Sequence, residues 1–306
     1  MILNISGRTD IIAFYTPWFM RRLKEGVVDV RNPIYPKLVS RIYFKDVDLI
    51  VFCTKNPHPI LPYLEEIKKP VLFQVTLTPY KKEIEPNVID KRTIVEDIKK
   101  LSKILGKENV FVRYDPIFLN DQYTVEYHKK AFLKMCSLLD GYVSHIIISF
   151  IDDYKNVRKN RKVLRIKNFT NEDFREIGLS FSNSARMHNM TVQTCSEYYT
   201  LEEYGFVVND CVSKELAKKL TGKNYPTWKG RNNKYCGCAN MVDIGSYNTC
   251  SHYCKYCYAN YDEDKIKDNI KNHHFDSTML IGYLESDDEV KVRKNWFCMF
   301  GMLILF

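Results

Sequence analysis

The sequence predicts an α/β fold, with a partial six-stranded parallel (β/α) barrel followed by a cysteine-rich C-terminal region. Three observations carry that expectation. Short apolar runs alternate with amphipathic stretches through the first two-thirds of the chain. Polar residues follow each apolar run. Most of the ten cysteines lie beyond residue 190.

The strand candidates, in order, are Leu3-Asn4-Ile5, Leu49 to Phe52, Val71 to Val75, Val110 to Val112, His145 to Ile148 and Thr191 to Gln193. Each is short and rich in β-branched or aromatic residues, as strands buried on both faces are. Between them, Lys91–Leu105 places Ile94, Val95, Ile98, Leu101 and Leu105 on one helical face. A second helix is expected over Thr124–Leu139. A third spans Asn171–His188, with Asn171 as its start because a side-chain oxygen there caps free N–H groups. Alternation of this kind implies right-handed crossovers and a parallel sheet. Six units fit about 195 residues, where a closed eight-unit barrel takes about 250. The expected organisation is therefore a partial barrel over 1–195, a cysteine-rich region over 196–290 packed on its mouth, and an apolar tail over 291–306.

Composition excludes several classes. With 45% hydrophobic and 27% charged residues the chain is neither disordered nor fibrous. A core of this size needs no disulfides. The start, Met1 to Arg8, shows no basic segment leading into an apolar one, so a cytoplasmic setting is expected, where cysteines serve as ligands or buried thiols. No apolar run reaches the ~20 residues of a membrane span. Trp296–Phe306 would extend only about 16 Å as a helix and is expected to pack on the body. The net charge of +9 includes a dense basic stretch at Lys155–Lys167. Solvated helix faces account for it, with an anionic partner such as nucleic acid as the alternative.

Polar residues end every predicted strand, where a barrel gathers its functional groups. They are Ser6 to Asp10, then Thr54-Lys55-Asn56, then Gln74, Thr76 and Thr78, then Arg113-Tyr114-Asp115. Ser149 with Asp152 and Asp153 follows, and last come Gln193, Thr194, Cys195 and Glu197. Arg8, Lys55 and Arg113 suit carboxylate or phosphate, with ion pairs to Asp10, Asp115 or Asp152 as the structural alternative. Gln74, Thr76 and Gln193 can orient polar groups by hydrogen bonds.

Cys250, Cys254 and Cys257 form a C-x3-C-x2-C motif. Three thiolates in so short a span can hold a four-iron cluster that keeps one iron open. The alternative is a zinc knuckle with His252, His273 or another cysteine as fourth ligand. Cys195, Cys211, Cys236 and Cys238 are a second set, able to close another iron–sulfur cluster or a tetrahedral zinc site. Against this, Cys195 and Cys211 can be inert buried thiols. Cys53, Cys136 and Cys298 have apolar neighbours and are expected to be packing residues, and His273-His274 an exposed loop pair.

The segment from Asp243 through Cys250 to Asn260 resembles the radical S-adenosylmethionine motif, in which an aromatic residue, here Tyr256, precedes the third cysteine. The resemblance implies a 4Fe–4S cluster on Cys250, Cys254 and Cys257. It also implies S-adenosylmethionine on the open iron, reductive cleavage to a 5′-deoxyadenosyl radical, and a partial six-stranded barrel. Tyr256 would lie against adenine, with Asn56, Gln74 and Thr76 as further cofactor contacts. An electron donor such as a flavodoxin or ferredoxin would be a partner. In most of that superfamily the cysteines follow the first strand, whereas here Ser6 to Asp10 has none. The chain as a whole, over about residues 1–290, is similar to an uncharacterised bacterial and archaeal family with its cluster cysteines at the C-terminus. The matching stretches are Ser6 to Asp10, Val30 to Pro33, Thr54 to Pro57, Ile84 to Asn87, Arg113 to Pro116 and Cys236-Gly237-Cys238. There is also a distant resemblance to spore photoproduct lyase, a radical enzyme that repairs DNA. A radical enzyme acting on an unknown substrate is the resulting expectation. An iron–sulfur- or zinc-stabilised nucleic-acid-binding protein is the alternative.

Overall fold

The computed structural model describes residues 1–227 and 235–293. The apolar stretch Trp296–Phe306, with Cys298, lies outside the described residues. The strands are β1 (Ile2–Asn4), β2 (Val27–Arg31), β3 (Leu38–Tyr43), β4 (Leu49–Thr54), β5 (Val71–Thr76), β6 (Val110–Ile117), β7 (His145–Phe150), β8 (Thr191–Thr194), β9 (Met241–Asp243) and β10 (Glu289–Val292). The helices are α1 (Ile11–Glu25), α2 (Lys91–Leu105), α3 (Val125–Leu138), α4 (Lys155–Lys159), α5 (Arg161–Leu164), α6 (Asn171–Met187), α7 (Lys214–Thr221) and α8 (Glu263–Lys271).

Seven strands form one all-parallel sheet in the order β8-β7-β6-β5-β4-β1-β9. Six of them are the predicted ones. The seventh, β9, comes from the cysteine-rich region and pairs with β1, Leu3 opposite Val242. From β4 to β8 the neighbours are also consecutive in the chain, with no reversal of order. Crossovers of one hand then place their helices on one face. Strand residues Leu3, Ile50, Phe73, Val112 and Ile148 pack there with Phe19 of α1, Ile98 of α2, Phe132 of α3 and Phe181 of α6. Phe132 and Phe181 stack at 3.8 Å between centroids. The alternate strand residues Ile2, Leu49, Val51, Leu72 and Ile147 face the other way, and Val212, Ala217 of α7 and Ala239 cover them. Burial on both faces explains why the central strands read as nearly continuous apolar runs. A smaller sheet joins the β2–β3 hairpin to β10, with Asp29 opposite Arg41 and bonded to it twice at 2.8 Å.

Helix α2 has the predicted bounds, and Asp90 Oδ1 caps it by accepting from Arg92 N at 2.7 Å. Helix α6 differs at its start. Its cap is Thr170, not Asn171, because Thr170 and Asp173 satisfy each other's backbone N–H groups in a capping box. Helix α1 is capped by Asp10, whose Oδ1 accepts from Ala13 N at 3.0 Å. It ends at Gly26, which takes a left-handed φ of 78°.

A cavity shared by two sets of cysteines

The polar strand ends converge on a cavity of about 760 Å³. Lys55, Gln74, Thr76, Arg113, Asp115, Ser149, Asp152 and Glu197 all line it, from loops and strand ends of β4 to β8. So do all seven cysteines of the two sets. Residues as far apart as Cys195 and Cys257 therefore share one space.

The first set sits on a loop fixed carbonyl by carbonyl. Tyr15 OH donates to Thr249 O at 2.6 Å, Asn87 Nδ2 to Ser251 O at 2.8 Å, and Asn160 Nδ2 to Lys255 O at 2.8 Å. Asn260 Nδ2 donates to Cys250 O at 2.5 Å. Lys255 N donates to Ile84 O at 2.9 Å. Cys250 and Cys254 are buried and Cys257 is half-buried. Burial pushes all three thiols up, so a metal must displace their protons to bind. His252, between them, contacts Asp10 Oδ2 through Nε2 at 3.0 Å, while its buried Nδ1 has no hydrogen-bond partner. Asp10 Oδ2 also accepts from Lys55 N at 2.8 Å. One carboxylate thus joins the start of α1, the loop after β4 and the cysteine motif.

Beside the motif lies a buried charge cluster. Glu85, 1% exposed, pairs with Lys55 at 2.9 Å and also with Lys91, and it accepts from Thr78 Oγ1 at 2.6 Å and from Tyr256 OH. Burial raises the Glu85 carboxyl, but Lys55 and Lys91 outweigh it and hold the group at about 2. The Lys55 ammonium lies 5.5 Å from the centre of the Tyr256 ring.

The second set runs as a chain of contacts. Cys211 Sγ lies 3.1 Å from Cys195 Sγ and 3.6 Å from Cys238 Sγ, and Cys236 bonds to Cys238. Hydrogen bonds from Cys195 and Cys238, with the Arg113 guanidinium nearby, hold the Cys211 thiol well below its usual range. Gln74 Nε2 donates to Cys211 O at 2.8 Å. Gly237 N donates to Asp210 Oδ1 at 2.6 Å, and a Cβ at Gly237 would sit 2.6 Å from Asp210 Oδ2, so only glycine allows this approach. Among the described residues, the only three ligand atoms all within 4.8 Å of one another belong to Glu285, Asp287 and Asp288. Those carboxylates are each paired with Lys37 or Arg31.

Several predicted residues sit elsewhere. Arg8 is outside the lining among the described residues. It pairs with Asp243, Nε to Oδ1 at 3.1 Å, and not with Asp10, because β9 brings Asp243 beside the β1 loop. Gln193 is also outside it. Gln193 is buried between His145 Nε2 at 2.6 Å and Asn209 O at 2.9 Å. Asn56 shapes its own loop by accepting from His58 N at 3.2 Å. Lys55 pairs with Glu85 and not with an aspartate, while Arg113 pairs with Asp115 at 2.5 Å as its neighbour in sequence suggests. Cys53, expected to be only a packing residue, lines the cavity, whereas Cys136 is core. His273 gives its Nδ1 to Leu280 O at 2.8 Å, and His274 stacks on Tyr283. In the basic stretch, Arg158 and Arg161 pair with Asp153, and Lys167 with Asp121.

Glu85 was not singled out from sequence, although Ile84 to Asn87 is the stretch that docks on the cysteine loop. Its signal was a carboxylate before a proline, which reads as a turn. Glu197 accepts from Phe150 N at 2.8 Å, yet burial pushes its carboxyl up to about 7.

The family described as "Domain of unknown function (DUF1848)" matches residues 2–259. The chain belongs to that family. No curated protein matches it. The DUF1848 match ends sooner than the expected 290, just after Cys257 and Tyr258, and it takes in both cysteine sets. Helix α8 and β10 lie beyond it. Among the described residues, no helix is long and apolar enough to cross a membrane.

Proposed function

We propose that this protein is a radical S-adenosylmethionine enzyme whose 4Fe–4S cluster is held by Cys250, Cys254 and Cys257. The observation that carries the reading is the meeting of a C-terminal three-cysteine loop with the polar ends of β4 to β8 in one cavity. The donor set fits. Three thiols leave a four-iron cluster one coordination position short, and that is where a cofactor can bind. When bound, the cluster and S-adenosylmethionine supply a carbon radical by reductive cleavage, with the electron drawn from a donor such as a flavodoxin or ferredoxin. The consecutive strand order is what an incomplete (β/α) barrel requires.

The chain's own residues then have separate tasks. Glu85 fixes the Tyr256 ring through its hydroxyl and fixes Lys55 beside it. Lys55 and Lys91 together exceed the single charge of Glu85, which leaves a positive balance near Cys254 that favours an anionic cluster. Glu197 can hold or release a proton near neutral pH. Its Oε1 is occupied by the Phe150 amide, so that proton belongs on Oε2. Arg113, locked to Asp115 and Gln74, orients the far wall. The substrate is the molecule that fills the remaining space.

The test is anaerobic purification, iron and sulfide analysis, and dithionite reduction with S-adenosylmethionine. The expected result is four irons and 5′-deoxyadenosine, both lost in Cys254→Ala. Zinc without iron on this motif sinks the proposal.

A further inference from the structure

The two edges of the large sheet are β8 and β9, and they do not pair with each other. The segment from Val207 to Val212 links them. Val207 N donates to Val192 O of β8 at 2.9 Å, and Ala239 N, just before β9, donates to Val212 O at 2.9 Å. This link is not a regular strand; besides these end bonds it is held by side chains, Gln193 on Asn209 O and Gln74 on Cys211 O, and by the Gly237 amide on Asp210. Three thiols meet along it. Cys195 extends β8, its N–H donating to Ile148 O at 2.8 Å. Cys211 lies on the link, and Cys238 leads into β9.

We propose that Cys195, Cys211, Cys236 and Cys238 bind one zinc ion that ties the β8 edge to the β9 edge. The chemistry of the set is four thiols, a donor set for a thiophilic cation, with a guanidinium beside it. Its dimensions favour a single ion. Four thiolates about 2.3 Å from zinc in a tetrahedron stand about 3.8 Å apart. The contacts of 3.1 and 3.6 Å at Cys211 are close to that edge. In the structure the thiols form a chain and not yet a closed shell. Binding brings Cys195 and Cys236 round until every edge reaches that length. The protons that the set still carries leave to solvent as the thiolates join the ion. The Arg113 guanidinium offsets part of the charge of a four-thiolate zinc centre.

The experiment uses the full chain carrying Cys250→Ala, Cys254→Ala and Cys257→Ala, so it does not depend on the cluster proposed above. One zinc per chain, with no sulfide, is expected to survive purification. Adding Cys211→Ala removes it. Because that change can impair folding, the metal-free triple variant is also titrated with cobalt(II). The strong visible absorption of a tetrahedral cobalt thiolate is expected at one equivalent. Hydrogen exchange in Thr191–Thr194 and Met241–Asp243 is expected to slow at least tenfold with zinc bound. Iron with sulfide in the triple variant, a Cys195–Cys211 disulfide in protein prepared without oxidant, or cobalt binding without the thiolate absorption overturns the site. Unchanged exchange in both edge strands overturns the tie.

Discussion

The phenol of Tyr256 donates its hydrogen bond to the carboxylate of Glu85, 171 residues earlier in the chain. That bond locks the aromatic residue of the cysteine motif to the loop after β5. Glu85 also receives Lys55, Lys91 and Thr78, so one buried carboxylate organises four side chains.

The first prediction concerns pH. The folded Glu85 carboxyl is held at about 2, below the ordinary 4.5. A depressed carboxyl contributes stability that is fully present above about 4.5 and is lost as pH falls toward 2. The contribution is on the order of 3 kcal/mol, from 1.36 kcal/mol per pKa unit. Glu85→Gln is expected to be less stable than the parent at pH 7. It is also expected to lose less stability between pH 5 and pH 3. Urea unfolding at those pH values measures both, and equal losses in the two proteins would contradict the assignment.

Glu197 carries the opposite sign. Burial raises its carboxyl to about 7 despite the Phe150 amide. Stability from this raised group is complete below about 4.5 and falls as pH rises through 7. Glu197→Gln should flatten the stability profile across that window. Carbon-13 NMR of the labelled glutamate carboxyls should show one titrating near neutrality, and that signal should be missing in the variant.

Asp10 predicts a coupling between helix capping and metal retention. Asp10→Ala removes the α1 cap, which costs about 1 kcal/mol by itself. It also frees Lys55 N and leaves both ring nitrogens of His252 without partners. Outer partners of a ligand loop typically change metal affinity 10–100-fold. Asp10→Ala, and Asp10→Asn, which keeps the cap but turns a donor amide toward Lys55 N, are both expected to release iron at least tenfold faster to a chelator than the parent. Parent-like release from Asp10→Asn would show that the carboxylate only caps.

The central strands were legible because Leu49 to Phe52, Val110 to Val112 and Ile146 to Ile148 are continuous apolar runs buried on both faces, and the other three followed from their place in the strand–helix alternation. Strand β9 was not, because Met241-Val242-Asp243 is three residues long, ends on an aspartate outside the strand–helix alternation, and is defined by pairing with β1 alone. Helix α1 was hidden by Pro17 within it and by the non-helical Tyr15. Strand-end positions pointed to the cavity and to Cys195 beside it, but not to both cysteine sets lining it. Nor were the partners of Arg8 and Lys55 legible, because Asp243 lies 235 residues from Arg8, and Glu85 lies on a loop with no strand to place it. Local pattern shows which groups are polar or apolar. It does not show which distant group neutralises a buried charge.

The pairing of β9 with β1 has a consequence for biosynthesis. Strand β1 waits for a neighbour encoded some 240 residues later. At about 5–20 residues per second that delay is tens of seconds at the slow end. Until then β1 is the sheet's open edge and the cysteine motif is not yet made. On the proposed cluster site, metal insertion therefore waits until residue 257 has been made. Any nascent fragment that stops short of residue 241 exposes an unpaired parallel edge, which makes it a target for aggregation or quality control.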